Sequence, residues 1–169
     1  KDQPLADLIA VGAYTGARLE ECGRIRRENI TFNKDGVPIA FAVEESKTAA
    51  GVRVVPIHPN IAGLVQSLLD ASPDGYLLPG GNNKYGNRLD PLSKRFGRLK
   101  TAAGFDKQFV FHSIRKTAIT LVHQAGADVA VMPGLFGHET GMITFDLYSQ
   151  GPSLEQKAKV IGLLCFDFP

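Results

Sequence analysis

Residues 109–151, FVFHSIRKTAITLVHQAGADVAVMPGLFGHETGMITFDLYSQG, decide how this chain is read. His112 and Arg115 stand three apart, His138 closes a Leu-Phe-Gly-His turn, and Tyr148 follows ten residues later. Ile114, Ala118, Leu121, Val122 and Ala125 recur at helical spacing, which predicts a helix after His112 with that stripe in the core. His112 and Arg115 then share one face near its start. Residues 127–135 predict a further short helix, interrupted by Pro133 and stopped by Gly137. One turn over 144–149 would present Tyr148, and residues 153–164 predict a last amphipathic helix with Leu154, Ala158, Ile161 and Leu164 as its apolar stripe. Taken singly, each polar residue here has an ordinary explanation, since a lone His is more often structural than catalytic. His58, beside two prolines, and His123, inside a helix, read that way.

Upstream, residues 4–14 predict a helix with Pro4 in its first turn, broken at Thr15-Gly16 and followed by a second short helix over 17–25. Arg18 begins that helix just after a glycine, where backbone N–H groups and a guanidinium can face one anion. On its own such an arginine is usually a surface partner for Glu20 or Glu21. Three short β-rich runs follow, ENITF, VPIAFAV and VRVVPI, separated by residues 33–36 and 46–51. They predict a small three-stranded antiparallel sheet with Lys47 in its second turn. A hairpin lysine is commonly an edge-protecting charge, and here it is its company that singles it out. A helix over 61–71, an exposed Gly/Asn-rich loop over 79–91 and a helix over 92–103 complete the chain, which shows no internal repeat and no linker.

Arg18, Lys47, His112, Arg115, His138 and Tyr148, in that order, resemble the catalytic domain of the tyrosine recombinases, the phage integrase family. The resemblance spans most of the chain and rests on the ordered set rather than on any one motif. It implies a mainly helical α+β catalytic domain with a small three-stranded antiparallel sheet, over residues 1–169. Glu21 matches an acidic position that orients the first arginine in that family, and Thr144 matches a residue often found shortly before the tyrosine. Phe136 stands where a leucine is common, an apolar exchange. The helical N-terminal domain with which family members close around DNA has no counterpart in this sequence, so we expect an excised fragment.

The implied chemistry is DNA strand cleavage and rejoining through a 3′-phosphotyrosine, leaving a free 5′-hydroxyl. Attack on phosphorus loads negative charge onto the non-bridging oxygens, which the forks of Arg18 and Arg115 would stabilise. His138 would add a hydrogen bond, and His112 would act either as a base toward the tyrosine or as a phosphate donor. Tyr148, with an ordinary pKa near 10, needs such neighbours to serve as nucleophile. Lys47 is the candidate general acid for the departing deoxyribose oxygen. A phosphotyrosine conserves the energy of the broken bond, so no ATP is expected, and with both arginines on the phosphate and no carboxylate cluster no cofactor or metal is expected. The four His and two Cys show no close metal-ligand spacing.

Composition restricts the setting. At 44% apolar and 21% charged the chain is an ordinary globular domain, and no apolar run approaches the roughly 20 residues of a membrane span. Without a signal-like start and with Cys22 read as a buried apolar residue, the expected location is cytoplasmic. A net charge of +2 does not itself announce nucleic acid; the local clusters Arg24, Arg26, Arg27 and Lys94, Arg95, Arg98, Lys100 do so weakly. The expected partners are double-stranded DNA and further recombinase subunits, tetrameric on paired sites. Two rivals remain open: a type IB topoisomerase acting as a monomer, and a module that keeps the fold but has lost catalysis.

Overall fold

The computed structural model describes residues 2–46, 48–139 and 151–168. Helix α1 (Gln3–Thr15) starts where Asp2 accepts from the Leu5 N–H, with Pro4 in the first turn, and ends at Gly16. Gly16 has φ +62°, and a Cβ there would lie 2.5 Å from the Phe136 ring, so glycine is required twice over. Helix α2 (Leu19–Arg24) follows directly. Strands β1 (Ile30–Phe32), β2 (Pro38–Val43) and β3 (Arg53–Pro56) form an antiparallel sheet in that spatial order, as the alternating runs predict. Ile30 pairs with Phe41, Phe41 with Val55, and Val43 with Arg53.

Helix α3 (Pro59–Ala71) lies against β2, and α4 (Asp90–Ala102) and α5 (His112–Gln124) lie against α1. Helices α6 (Met132–Phe136) and α7 (Leu154–Ile161) close on β3. One core runs through these layers, including Leu8, Val11, Phe41, Val55, Leu78, Ala118, Val122, Leu135 and Ile161. Each fully buried large aliphatic or aromatic side chain contributes about 1.5–3 kcal/mol. Cys22 belongs to this core, and burial pushes its thiol pKa up, aided by the charge of Glu21.

Several expectations are corrected. The run ENITF is strand only from Ile30, because residues 27–29 form a 3-10 turn with the Asn29 side chain accepting from the Arg26 N–H. The helix predicted over 127–135 begins only at Met132, with Pro133 in its first turn, where the missing N–H costs no helical hydrogen bond. On α5, Ala125 is exposed and Arg115 is buried, so the core stripe includes a guanidinium. The segment 79–91 is not exposed throughout, because Arg88 and Leu89 are buried at its end. On α7, Leu154 and Ala158 face outward while Lys157, Val160 and Ile161 are buried, with Leu164 just beyond. The C-terminal segment therefore docks on its own chain. Phe166 and Phe168 pack edge-on against Tyr14, whose hydroxyl donates to the Phe166 carbonyl at 3.2 Å. The turn predicted over 144–149 lies outside the described residues.

Candidate active site

Four segments far apart in sequence meet at one place: the α1–α2 junction, the β2–β3 hairpin, the start of α5 and the end of α6. Arg115, on the first turns of α5, points inward and is 1% exposed. Its Nη1 donates to the Gly16 carbonyl at 2.8 Å, its Nη2 donates to the Phe136 carbonyl, and Nη2 also lies 2.9 Å from His138 Nε2. A guanidinium has no acceptor, so Nε2 of His138 receives this bond and the imidazole proton sits on Nδ1. Arg115 Nε is buried and has no hydrogen-bond partner among the described residues. Burial lowers the Arg115 pKa to about 10, with the Arg18 charge adding to the effect.

Arg18 caps α2 at the mouth of the same place, with its side chain 36% exposed. Its Nη1 pairs with Glu21 Oε1 at 2.7 Å and its Nη2 donates to the Gly137 carbonyl at 3.2 Å. The sequence left Arg18 as either a partner for an acidic neighbour or an anion ligand, and it is the first without forfeiting the second. The backbone N–H expected to face an anion is instead taken by Glu21 Oε2 at 2.8 Å. Burial of Glu21 favours its neutral form, but hydrogen bonds and charge from Arg53, with help from Arg18, outweigh it and hold the pKa at about 2. Glu21 is thus a fixed anion that orients Arg18.

His112 opens α5 and is exposed, and with Arg18, Phe111, Ser46 and Thr48 it lines a cleft of about 920 Å³. Both site histidines have lowered pKa values, so both are neutral at neutral pH. For His112 the causes are burial and then the charges of Arg115, Lys116 and Arg18; for His138 they are burial and then Arg115, Arg18, Arg53 and His112. Ser46 and Thr48 flank Lys47 in sequence and lie on the cleft wall. Lys47 itself, Thr144 and Tyr148 lie outside the described residues. The structure therefore brings together Arg18, His112, Arg115 and His138 of the six sequence candidates.

Sequence reading missed Arg53. It lies on β3, 8% exposed, and donates through Nε to the Leu135 carbonyl at 2.8 Å and through both terminal nitrogens to the two Glu21 oxygens at 3.0 Å. A signal was present. Val52 and Val54 are 53% and 40% exposed while Arg53 and Val55 point inward, so VRVVP sets a charge in the buried phase of a strand. The basic clusters, by contrast, are largely answered locally. Arg24 pairs with Glu45 at 2.6 Å, Arg26 with Glu28 at 2.7 Å, Lys94 with Asp90 at 2.8 Å and Arg95 with Asp2 at 2.8 Å. Among the described residues no helix is long and apolar enough to cross a membrane.

Comparison with known proteins agrees with this fold. The sequence model of the Phage integrase family matches residues 3–152. No curated protein matches. Among solved structures, the integrase from mycobacterium phage Brujita is similar at a TM-score of 0.70 and 19% identity, over 98% of this chain and 53% of that one. The Tn1549 transposon integrase in complex with circular intermediate DNA is similar at 0.59 and 21%, over 93% and 56%. The XerH site-specific recombinase bound to difH substrate is similar at 0.56 and 19%, over 96% and 43%. The chain thus spans about half the length of these proteins.

Proposed function

The chain belongs to the phage integrase family, and from that premise we propose that it is the catalytic domain of a site-specific DNA recombinase. It cleaves and rejoins double-stranded DNA in the cytoplasm, assembled with further subunits on paired sites. The observation that carries this reading is the convergence of Arg18, Arg115 and His138 from three distant segments, two of them joined at 2.9 Å, beside a cleft of about 920 Å³ that Arg18 and His112 line.

In the proposed reaction Tyr148 Oη attacks the phosphorus, the P–O5′ bond breaks, and a 3′-phosphotyrosine forms. The phenolic proton passes to a base; neutral His112, on the cleft wall, suits that role. Lys47 gives its proton to the departing 5′-oxygen. Arg18, half-exposed with N–H groups to spare, and Arg115, through donors not committed to carbonyls, stabilise the charge on the non-bridging oxygens. His138 donates from Nδ1. Rejoining reverses these steps onto another 5′-hydroxyl. The test is a nicked duplex whose short cleaved fragment diffuses away, trapping the covalent protein–DNA complex. The parent chain should accumulate it and Tyr148→Phe should not; a complex that survives the substitution overturns the reading.

A further inference from the structure

We propose that Arg53 is a positioning residue of this site, setting the geometry of Arg18 and of the β2–β3 hairpin together. The proposal rests on the strand-cleavage reading above. Arg53 binds acceptors in three separate elements: the Glu21 carboxylate on α2, the Gly51 carbonyl in the hairpin at 2.8 Å, and the Leu135 carbonyl on α6. Room around it is tight, since a Cβ on Gly137 would come within 2.8 Å of Nη1 and 3.2 Å of the Ala50 carbonyl. The hairpin base, the end of α6 and the start of α2 therefore meet on one guanidinium.

Two features distinguish this from a mere strut. First, Arg53 and Arg18 grip the same two oxygens. Oε1 accepts from Nη1 of both, at 3.0 and 2.7 Å, and Oε2 accepts from Arg53 Nη2 at 3.0 Å and from the Arg18 N–H at 2.8 Å. If Arg53 lets go, the carboxylate is free to rotate and Arg18 moves with it. Second, Gly51 ends the hairpin segment that carries Lys47, the candidate acid, so the same loss frees the hairpin base. Arg53 acts on the two ends of the reaction, the non-bridging charge and the leaving oxygen, without touching DNA.

The sulfur substitution separates the two effects. A thiolate leaves without protonation, because its conjugate acid has a pKa of only about 8.5. A nicked duplex that the parent chain cleaves, selected from a randomised pool, is made with oxygen or with sulfur at the bridging 5′ position. Arg53→Lys should slow single-turnover cleavage of the oxygen duplex by about 10²-fold, with DNA affinity changed less than about twofold. Sulfur should return about tenfold of that loss. Glu21→Gln, which loosens Arg18 but leaves the Arg53 bonds to the Gly51 and Leu135 carbonyls in place, should lose equally on both. Equal losses for Arg53→Lys on both duplexes, or a parent-like rate, overturn the proposal. Because removing one partner of a buried pair can unfold the chain, Arg53→Met with Glu21→Gln supplies a second variant without an unmatched charge. It should stay folded at the assay temperature, melting lower because the Gly51 and Leu135 carbonyls lose their donor, and cleave the oxygen duplex more slowly than Glu21→Gln alone; equal rates overturn the proposal. Cleavage that persists in Tyr148→Phe overturns the strand-cleavage reading itself, and Arg53's role with it.

Discussion

Arg115 and Arg18 bring the same guanidinium group to one site and are held in opposite ways. Arg115 is buried, bonded to the Gly16 and Phe136 carbonyls, and its position is dictated by backbone. Arg18 sits at the mouth and is aimed chiefly by a carboxylate that a second arginine grips from behind. The floor of the site is part of the fold, whereas its rim is set by side chains that can be changed without dismantling the core. Mutations at the two levels should therefore separate stability from catalysis.

The sharpest break is between the arginines themselves. Arg115→Ala and Arg18→Ala should each slow cleavage by about 10²–10³-fold. Only Arg115→Ala should also lower unfolding stability, by about 2 kcal/mol or more, because it strands buried carbonyls. Single-turnover cleavage and chemical denaturation of the same two variants decide it; equal stability losses would erase the distinction between floor and rim.

Acid probes the anion that links them. Glu21 has a folded pKa of about 2 against an ordinary 4.5. Its native state binds fewer protons, so its stabilisation is present above the ordinary carboxylate range and is lost as pH falls from about 4.5 to about 2. The difference corresponds to on the order of 3 kcal/mol. Glu21→Gln should flatten that part of the stability profile, measured by denaturation across pH.

The floor also contains a proton-sensitive contact. His138 is neutral above its lowered pKa and accepts from Arg115; once protonated, Nε2 and Nη2 would face each other as donors. Cleavage should therefore fall, by roughly tenfold, on the acid side of the ordinary histidine value near 6.5. His112 titrates in the same region, so the profile is read in a His112→Gln background, where His138→Gln should remove the acid limb.

Smaller effects mark the boundary of the site. Gly137 has φ +69°, and an added methyl would press on Arg53 Nη1, so Gly137→Ala should cost about 1–2 kcal/mol and slow cleavage as well. At the far end of the scale, Lys94 pairs with Asp90 across one exposed helical turn. Lys94→Ala should change stability by less than about 0.5 kcal/mol, since solvent screens the pair.

Much of this is legible in the sequence. Periodicity located α1, α3, α4, α5 and the three strands, because an amphipathic element carries its period in its own residues. Of the ordered set, Arg18 and His112 line the cleft, and Arg115 and His138 meet beside Arg18. Other features depend on tertiary contacts. That Arg115 is bonded to Gly16 follows from α5 lying on α1, which local sequence does not encode. That the Arg18 N–H faces Glu21 rather than an open anion site follows from the side chain of residue 21 folding back. Arg53 was readable in principle from its phase in β3, but the phase has meaning only once β3 is known to be buried on that side. The stripe on α7 was misassigned because Lys157 buries its stem against β3, a position that hydrophobicity alone gives to Leu154 or Ala158.

That buried lysine also affects how the protein behaves at high concentration. Lys157 Nζ donates to the Val54 carbonyl at 3.2 Å, and burial lowers its pKa, with the Arg53 charge adding to this. β3 is an outer strand of the sheet, and an open outer strand is a template onto which another chain can zip. α7 lies across that border and occupies one of its acceptors. Removing residues 153–169 would leave Val54 and its neighbours open for strand addition. The shortened chain should then be lost to β-rich assemblies, visible as concentration-dependent light scattering and dye-positive fibres.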